Sequence, residues 1–324
     1  ILKAWHRPGL KALRTESGLP KAEFTARQLC FTIIPRLNSP GRIGSARDVV
    51  ELLLTCDDKE AFRAAREIEE KNRQRRAHDS RVTEEASYLA DIILKRTEPS
   101  ALVFSSSSWH EGVVGIGAAR LAEKYDLPSV LIAVSDGIGK GSARSAGMVN
   151  IKEALERCSE YLVVYGGHKE AGGFSILEKD IPCFQAVFEE TVCELAEHGG
   201  DAGTMRIDAE VSLDMCNMEL VSFIGRLAPF GPGNPEPLFL IRNFKVMPGS
   251  RIVGNGHLKV AARDLNGSLH ELIGFSLGDA WNPDDIIGKE LDVLIHLRKN
   301  FYKGKMMPKI QMISIRFAKG NVKI

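Results

Sequence analysis

No C-x-x-C pair occurs among the six cysteines, Cys30, Cys56, Cys158, Cys183, Cys193 and Cys216. Their scatter argues against zinc knuckles and a disulfide framework and fits a reducing cytoplasm. No apolar run approaches the roughly 20 residues of a membrane-spanning helix, so no membrane role is expected. No signal peptide is visible, and no internal repeat or low-complexity segment interrupts the 324 residues. Also missing is a dense cluster of Asp, Glu and His of the kind that two-metal phosphodiester hydrolysis requires. His110, His168, Glu111 and Glu170 are too few for such a cage, so no metal ligand is assigned in this sequence. The net charge of +1 excludes little by itself.

The composition that remains, 44% hydrophobic and 26% charged, is that of a globular chain and not of a disordered one. Its length predicts two or three domains. The charge is unevenly spread. Residues 235–324 hold 14 Lys and Arg against 8 Asp and Glu, a local +6, while the remainder holds 29 against 34, or −5. A basic C-terminal third on an acidic body points to a nucleic-acid-facing module, with a solvated lysine-rich surface as the plainer alternative.

The most informative stretch is Tyr161 to Ile176. Its β-branched start reads as a buried strand, which breaks at Gly166-Gly167, presents His168 and passes Ala171-Gly172-Gly173. Small residues around one imidazole let a ligand approach the backbone, and free N–H groups after a strand can cradle an anion. A phosphate or phosphodiester site is the functional reading. A tight strand-to-helix turn with a surface histidine is the structural one.

Upstream, residues 35–42 read as a proline-stiffened loop with Arg36 and Arg42 flanking it, suited to bidentate grip on phosphate or else a pair of loop cations. Ser45 is a candidate N-cap for a helix over 48–54. Residues 57–95 are charge-dense and free of Gly and Pro, with apolar positions at helical spacing, and predict one long connecting helix with a solvated face. Residues 99–198 alternate strand and helix, predicting an α/β domain around a central, largely buried sheet. Residues 198–203 form a linker by composition. A strand over 206–213, a helical stretch over 218–227 and a proline-rich corner at 229–237 follow. Five short strands beyond the corner predict a small closed β-barrel of the OB type.

Two further constellations accompany the glycine turn. Ser107 to Arg120 places His110 where a strand turns into a glycine-opened helix, whose N-terminus could face an anion; capping or packing beside Trp109 is the alternative. Residues 140–145 form a strand whose alternation puts Ser142 and Arg144 on one face, where hydroxyl and guanidinium can meet one phosphate. A polar edge strand is the bland reading.

Gly166-Gly167-His168-Lys169-Glu170-Ala171-Gly172-Gly173 resembles the G-G-H-x-x-A-A-G signature of the DHHA1 domain in the DHH phosphoesterase superfamily, with Gly172 in place of the second alanine. Three more segments are similar to the RecJ family of single-strand-specific 5′→3′ DNA exonucleases: Arg36-Leu37-Asn38-Ser39-Pro40-Gly41-Arg42 to its R-L-N-x-x-G-R motif, Trp109 to Ile116 to its W-H-x-G-V-I-G-I segment, and Gly141 to Ser145 to its G-S-x-R-S strand. The corner at 229–237 resembles the one before that family's OB-fold.

This resemblance implies a DHH-domain remnant at 1–56, a connecting helix at 57–98, a DHHA1 domain at 99–199, and a corner with an OB-fold at 206–324. It places Arg36, Asn38 and Arg42 near the DNA path and Ser142 and Arg144 on the 5′-terminal phosphate. It puts Gly166, Gly167 and His168 on the phosphate next to the metals, with His110 lining the same cleft; His110 and His168 are the implied catalytic residues. The OB-fold would track the strand with Lys259, Arg263, Arg298, Lys299 and Lys303 and with Phe275, Phe301 and Tyr302, a core position being favoured for Phe275. Mn²⁺ or Mg²⁺ is the implied cofactor, held by aspartate-rich and D-H-H motifs of which this sequence has none. The expectation is an exonuclease of DNA repair and recombination as the full-length protein and an inactive fragment if the chain begins at Ile1. Single-stranded DNA is the partner, with single-strand-binding protein and a helicase as protein partners. The competing readings are a catalytically dead binding module and a phosphodiesterase for short oligonucleotides or cyclic dinucleotides.

Overall fold

The computed structural model describes residues 6–19, 24–147, 149–198, 205–254, 256–264, 266–302 and 305–318. The start at Ile1, the linker residues 199–204, Lys303 and the side chain of Tyr302 lie outside what is described. Two compact units divide the chain, Ile1–Thr204 and Met205–Ile324.

The first unit opens with helices α1 (Pro8–Glu16), α2 (Ala26–Gln28), α3 (Ile34–Ile43) and α4 (Arg47–Leu54), a π turn at Leu29–Ile33 leading into α3. They pack Leu13, Ile33 and Leu52 against Ala61, Ala65 and Ile68 of the long helix α5 (Asp58–Leu94). α5 starts where the Asp57 side chain accepts from the Glu60 N–H. Its 37 residues span about 56 Å at about 1.5 Å per residue.

Residues 35–42, expected as a loop, are helix α3. Pro35 sits in the first turn, where a missing N–H costs nothing. Pro40 cannot donate to the Arg36 carbonyl four residues back, and the Ser39 hydroxyl donates to that carbonyl instead at 2.9 Å. Ser45 does not cap through the usual position; α4 starts after Ala46, and Ser45 accepts from the Arg47 N–H at 3.2 Å.

The α/β part has β1 (Leu102–Ser106), α6 (Glu111–Tyr125), β2 (Ser129–Ser135), β3 (Ile138–Arg144), α7 (Ile151–Arg157), β4 (Leu162–Gly167), β5 (Ala171–Leu177) and α8 (Ile181–His198). The sheet order is β1-β2-β3-β5-β4, with β1 and β2 parallel and the other neighbours antiparallel. Alternation along β2 sends Leu131 and Ala133 toward α5 and α6, and Val130, Ile132 and Val134 toward Phe184 and Phe188 of α8.

β4 corrects a reading. The Tyr161–Tyr165 run is no buried strand: β4 is the sheet edge, and Val163 and Val164 are 60% and 64% exposed. The turn after it leads into antiparallel β5, so the glycines lie in a hairpin and no helix begins there.

In the second unit, only Ala209–Glu210 of the expected 206–213 strand forms β6, paired with β7 at two positions. α9 (Met218–Gly225) follows, then β7 (Phe239–Val253), β8 (His257–Arg263), β9 (Leu269–Gly274), α10 (Pro283–Ile286), β10 (Glu290–Tyr302) and β11 (Lys305–Phe317). Antiparallel pairing of β10 with β7 closes β7, β8, β9, β11 and β10 into a five-stranded barrel, with β9 and β11 parallel as in an OB-fold. Val246, Leu258, Val260, Leu272, Leu291 and Ile295 fill it, and Ile224 and Ile286 plug its core from α9 and α10. At the corner, the Asn234 amide donates to the Leu227 and Pro229 carbonyls at 3.0 and 2.9 Å.

Candidate functional site

The N-terminal turn of α6 forms one side of an open polar pocket of about 340 Å³, lined by Arg42, Glu111, Gly112, Gly115, Ser142 and Arg144 among others. Two glycines one helical turn apart make it possible. A Cβ on Gly112 would lie 1.9 Å from the Arg42 carbonyl oxygen, so its absence lets the end of α3 dock on α6. A Cβ on Gly115 would lie 2.9 Å from Nη2 of Arg144 and 3.0 Å from Oγ of Ser142. Their i, i+3 spacing at a helix start is the sequence signal that could have identified them.

Arg42 reaches across to donate to the Gly112 carbonyl at 3.1 Å. On β3, Arg144 donates to the Ser142 hydroxyl at 2.7 Å and to the Ala143 carbonyl at 2.8 Å. Among the described residues neither Arg42 nor Arg144 forms an ion pair. Burial, and then the like charge of Arg42, push the Arg144 guanidinium below its usual pKa. Two cations facing a helix N-terminus without a carboxylate partner make a site for an anion.

His110 stands beside this pocket as the N-cap of α6. Its Nδ1 accepts from the Gly112 N–H at 3.0 Å, and its ring lies 5.3 Å from that of His78 on α5. His168 is exposed on the β4–β5 turn and outside the pocket lining; its N–H donates to the Ala171 carbonyl at 2.8 Å. Two glycines of that hairpin serve close packing, since a Cβ on Gly167 would lie 2.4 Å from the Ala171 carbonyl oxygen and one on Gly172 2.4 Å from Cδ1 of Leu155, while Gly166 has open space beside it. A second, larger depression of about 650 Å³ shares Arg144 and reaches Lys169, Glu170 and Ala171 of the turn. The Ser145 N–H donates to the Glu170 carbonyl at 3.0 Å, which fixes the turn beside the end of β3.

Arg42, Ser142 and Arg144 are therefore brought together, with His110 next to them. Asn38 is exposed on α3. Arg36 is engaged elsewhere, gripping Glu69 of α5 through two nitrogens and the Thr32 carbonyl at 2.6 Å. Among the described residues no three His, Cys, Asp or Glu side chains gather as cation ligands. The described residues do not fit a Mn²⁺ or Mg²⁺ site, and no step is derived through one.

On the barrel, alternation along β8 turns His257, Lys259 and Arg263 outward. Phe275, favoured as a core residue, is 42% exposed instead. It follows the last residue of β9, beyond the barrel-filling Leu272, and the ring of His257 meets it edge-on at 5.1 Å while Nζ of Lys309 stands 4.8 Å over it. Lys259 pairs with Glu271 at 2.7 Å, and Arg298 is clasped by Glu236. Lys299 and Phe301 are exposed on the β10–β11 hairpin.

A DHHA1 domain model matches residues 98–194, and a RecJ OB domain model matches residues 207–314. The single-stranded-DNA-specific exonuclease RecJ of Dickeya dadantii is 33% identical over 307 residues, covering 92% of this chain and 53% of the relative. The one of Bacillus subtilis is 28% identical over 314 residues, covering 96% of this chain and 39% of the relative. The chain thus spans about half the length, or less, of these curated relatives. A crystal structure of RecJ in complex with Mg²⁺ from Thermus thermophilus superposes with a TM-score of 0.78 at 28% identity, covering 98% of this chain and 48% of that one. A crystal structure of RecJ in complex with Mn²⁺ from Thermus thermophilus also gives 0.78. With a DHHA1 domain at residues 98–194 and a RecJ OB domain at residues 207–314, the chain is a relative of the RecJ exonucleases.

Proposed function

We propose that this chain is the substrate-holding part of a RecJ-like 5′→3′ single-stranded-DNA exonuclease. Its pocket grips the 5′-terminal phosphate, and its barrel holds the strand that follows. The observation that carries this reading is the pair Arg42 and Arg144, like charges that line one pocket at the α6 N-terminus and form no ion pair among the described residues. A terminal phosphate relieves that repulsion and offers three oxygens to two guanidinium forks, the Ser142 hydroxyl and the helix end. An internal phosphodiester carries one charge less and a second ester substituent, so the pocket favours an end. Arg36, held by Glu69, and the exposed Asn38 lie on α3 outside the pocket lining, as do Gly166, Gly167 and His168 of the β4–β5 turn, and their part in holding DNA would be secondary.

The barrel supplies what an end-binding pocket cannot. A basic outward face with half-exposed Phe275 and exposed Phe301 suits a single strand whose bases stack and whose phosphates are tracked without sequence preference. The full-length enzyme would take Mn²⁺ or Mg²⁺, the ions named with the Thermus thermophilus RecJ structures, as its cofactor. It would act in the cytoplasm in DNA repair and recombination, with single-strand-binding protein and a helicase as its protein partners. No helix among the described residues is long and apolar enough to cross a membrane.

Binding of this chain to 5′-phosphorylated and 5′-hydroxyl oligonucleotides, followed by fluorescence anisotropy, tests the assignment. The phosphorylated strand is expected to bind tighter, and Arg144→Ala to cost that preference about tenfold, the scale of one charge-assisted contact. An unchanged preference in Arg144→Ala overturns it.

A further inference from the structure

Helix α5 packs against α3 and α6, two of the elements that shape the phosphate pocket. Glu69 holds Arg36 of α3, and Lys71 pairs with Asp48 of α4. Glu85 accepts from the Trp109 indole N–H at 2.7 Å, in the segment leading into α6. Between them lies Asp79, a different kind of contact. It is 3% exposed, and its Oδ2 meets Nη2 of Arg120 on α6 at 3.0 Å and Nη1 of Arg75 at 3.7 Å. Its Oδ1 has no hydrogen-bond partner, and neither has Nε of Arg75.

One buried carboxylate is thus shared by two guanidiniums and satisfies neither fully. That is a poor device for stability, since a buried ion pair helps only when its geometry and hydrogen bonds are complete. Its surroundings give it another use. Burial pushes the Arg75 guanidinium down, Asp79 alone opposes this, and the charges of Arg42, Arg76 and Arg120 add to it. The charge of Arg42, one of the two cations of the pocket, thus acts on both Arg75 and Arg144. Without a charge at Asp79, Arg75 and Arg120 would repel each other and Arg42, whose guanidinium donates to the Gly112 carbonyl in the first turn of α6.

We infer that Asp79 is a positioning residue for the phosphate pocket: it pins Arg75 and Arg120 along the α5–α6 seam and so keeps Arg42 and the first turn of α6 in place for a 5′-phosphate. This rests on the phosphate reading of the pocket. Asp79 touches no substrate itself and acts only through the arginines.

The test is the ratio of affinities for 5′-phosphorylated and 5′-hydroxyl strands, measured on this chain. Asp79→Asn keeps the shape and removes the charge. It should lower the ratio about tenfold while affinity for the 5′-hydroxyl strand changes less than twofold, an outcome that a merely structural role does not give. Removing both charges with Asp79→Asn/Arg75→Met should return the ratio to within about threefold of wild type. A folded Asp79→Asn chain with an unchanged ratio overturns the inference. So does loss of the ratio in the double variant, which settles the matter even if the single variant fails to fold. If the wild-type chain shows no preference at all, the phosphate reading falls, and this assignment falls with it.

Discussion

The pocket of the first unit and the outward face of the barrel are both basic, but they use charge in opposite ways. In the pocket Arg42 and Arg144 form no ion pair among the described residues, and burial together with the like charge of Arg42 lowers the Arg144 pKa, an arrangement that an anion would relieve. On the barrel Lys259 and Arg298 already have carboxylates beside them, and the neighbouring cations lie at the surface, where salt screens them. The first arrangement recognises one group in one place. The second holds a polyanion weakly at many places and can let it slide. On the proposed function the two properties would complement each other, each from its own fold.

The sharpest way to break the comparison is to damage one partner alone. Leu272 is fully buried in the barrel, and Leu272→Ala should cost roughly 2–5 kcal/mol of barrel stability. Thermal melting should show it, and strand affinity should fall at temperatures where the 5′-phosphate preference survives. The converse lesion is Gly112→Ala. Its Cβ would overlap the Arg42 carbonyl, backbone that cannot swing away, at a cost of about 1–3 kcal/mol. The preference for the phosphorylated end should disappear in binding assays while the barrel keeps its affinity for 5′-hydroxyl strands.

The smallest effect sharpens the contrast. Lys299→Ala on the exposed β10 face should reduce the salt dependence of strand binding by about 0.7 in log–log slope, the share of one single-strand phosphate contact. A titration from low to moderate salt reads this directly. The phosphate preference should stay put.

Much of this arrangement is legible in the sequence where local chemistry and fold agree. α5 announces itself by 37 residues without Gly or Pro, and the five barrel strands by their turns. The Ser142–Arg144 face follows from strand alternation alone. Elsewhere local signals mislead. A strand exposed at an edge and one buried on both faces can share the same β-branched run, so Tyr161–Tyr165 gives no hint that β4 is an edge. The prolines of α3 read as loop residues because the bond from Ser39 to Arg36 is invisible until the helix exists. Phe275 looks like a core aromatic until Lys309, 34 positions away, is seen standing over it. Asp79 is one carboxylate in a charge-dense helix, and only the approach of Arg120 from α6 distinguishes it.

The open edge of β4 has a practical consequence for anyone handling this protein. Val163, Val164 and Tyr165 stand exposed along backbone with no neighbour strand on one side, and no lysine or proline guards them. Such an edge is a template for another chain. In concentrated stocks it is the place where copies of this chain are expected to pair, and light scattering that rises with protein concentration would reveal it.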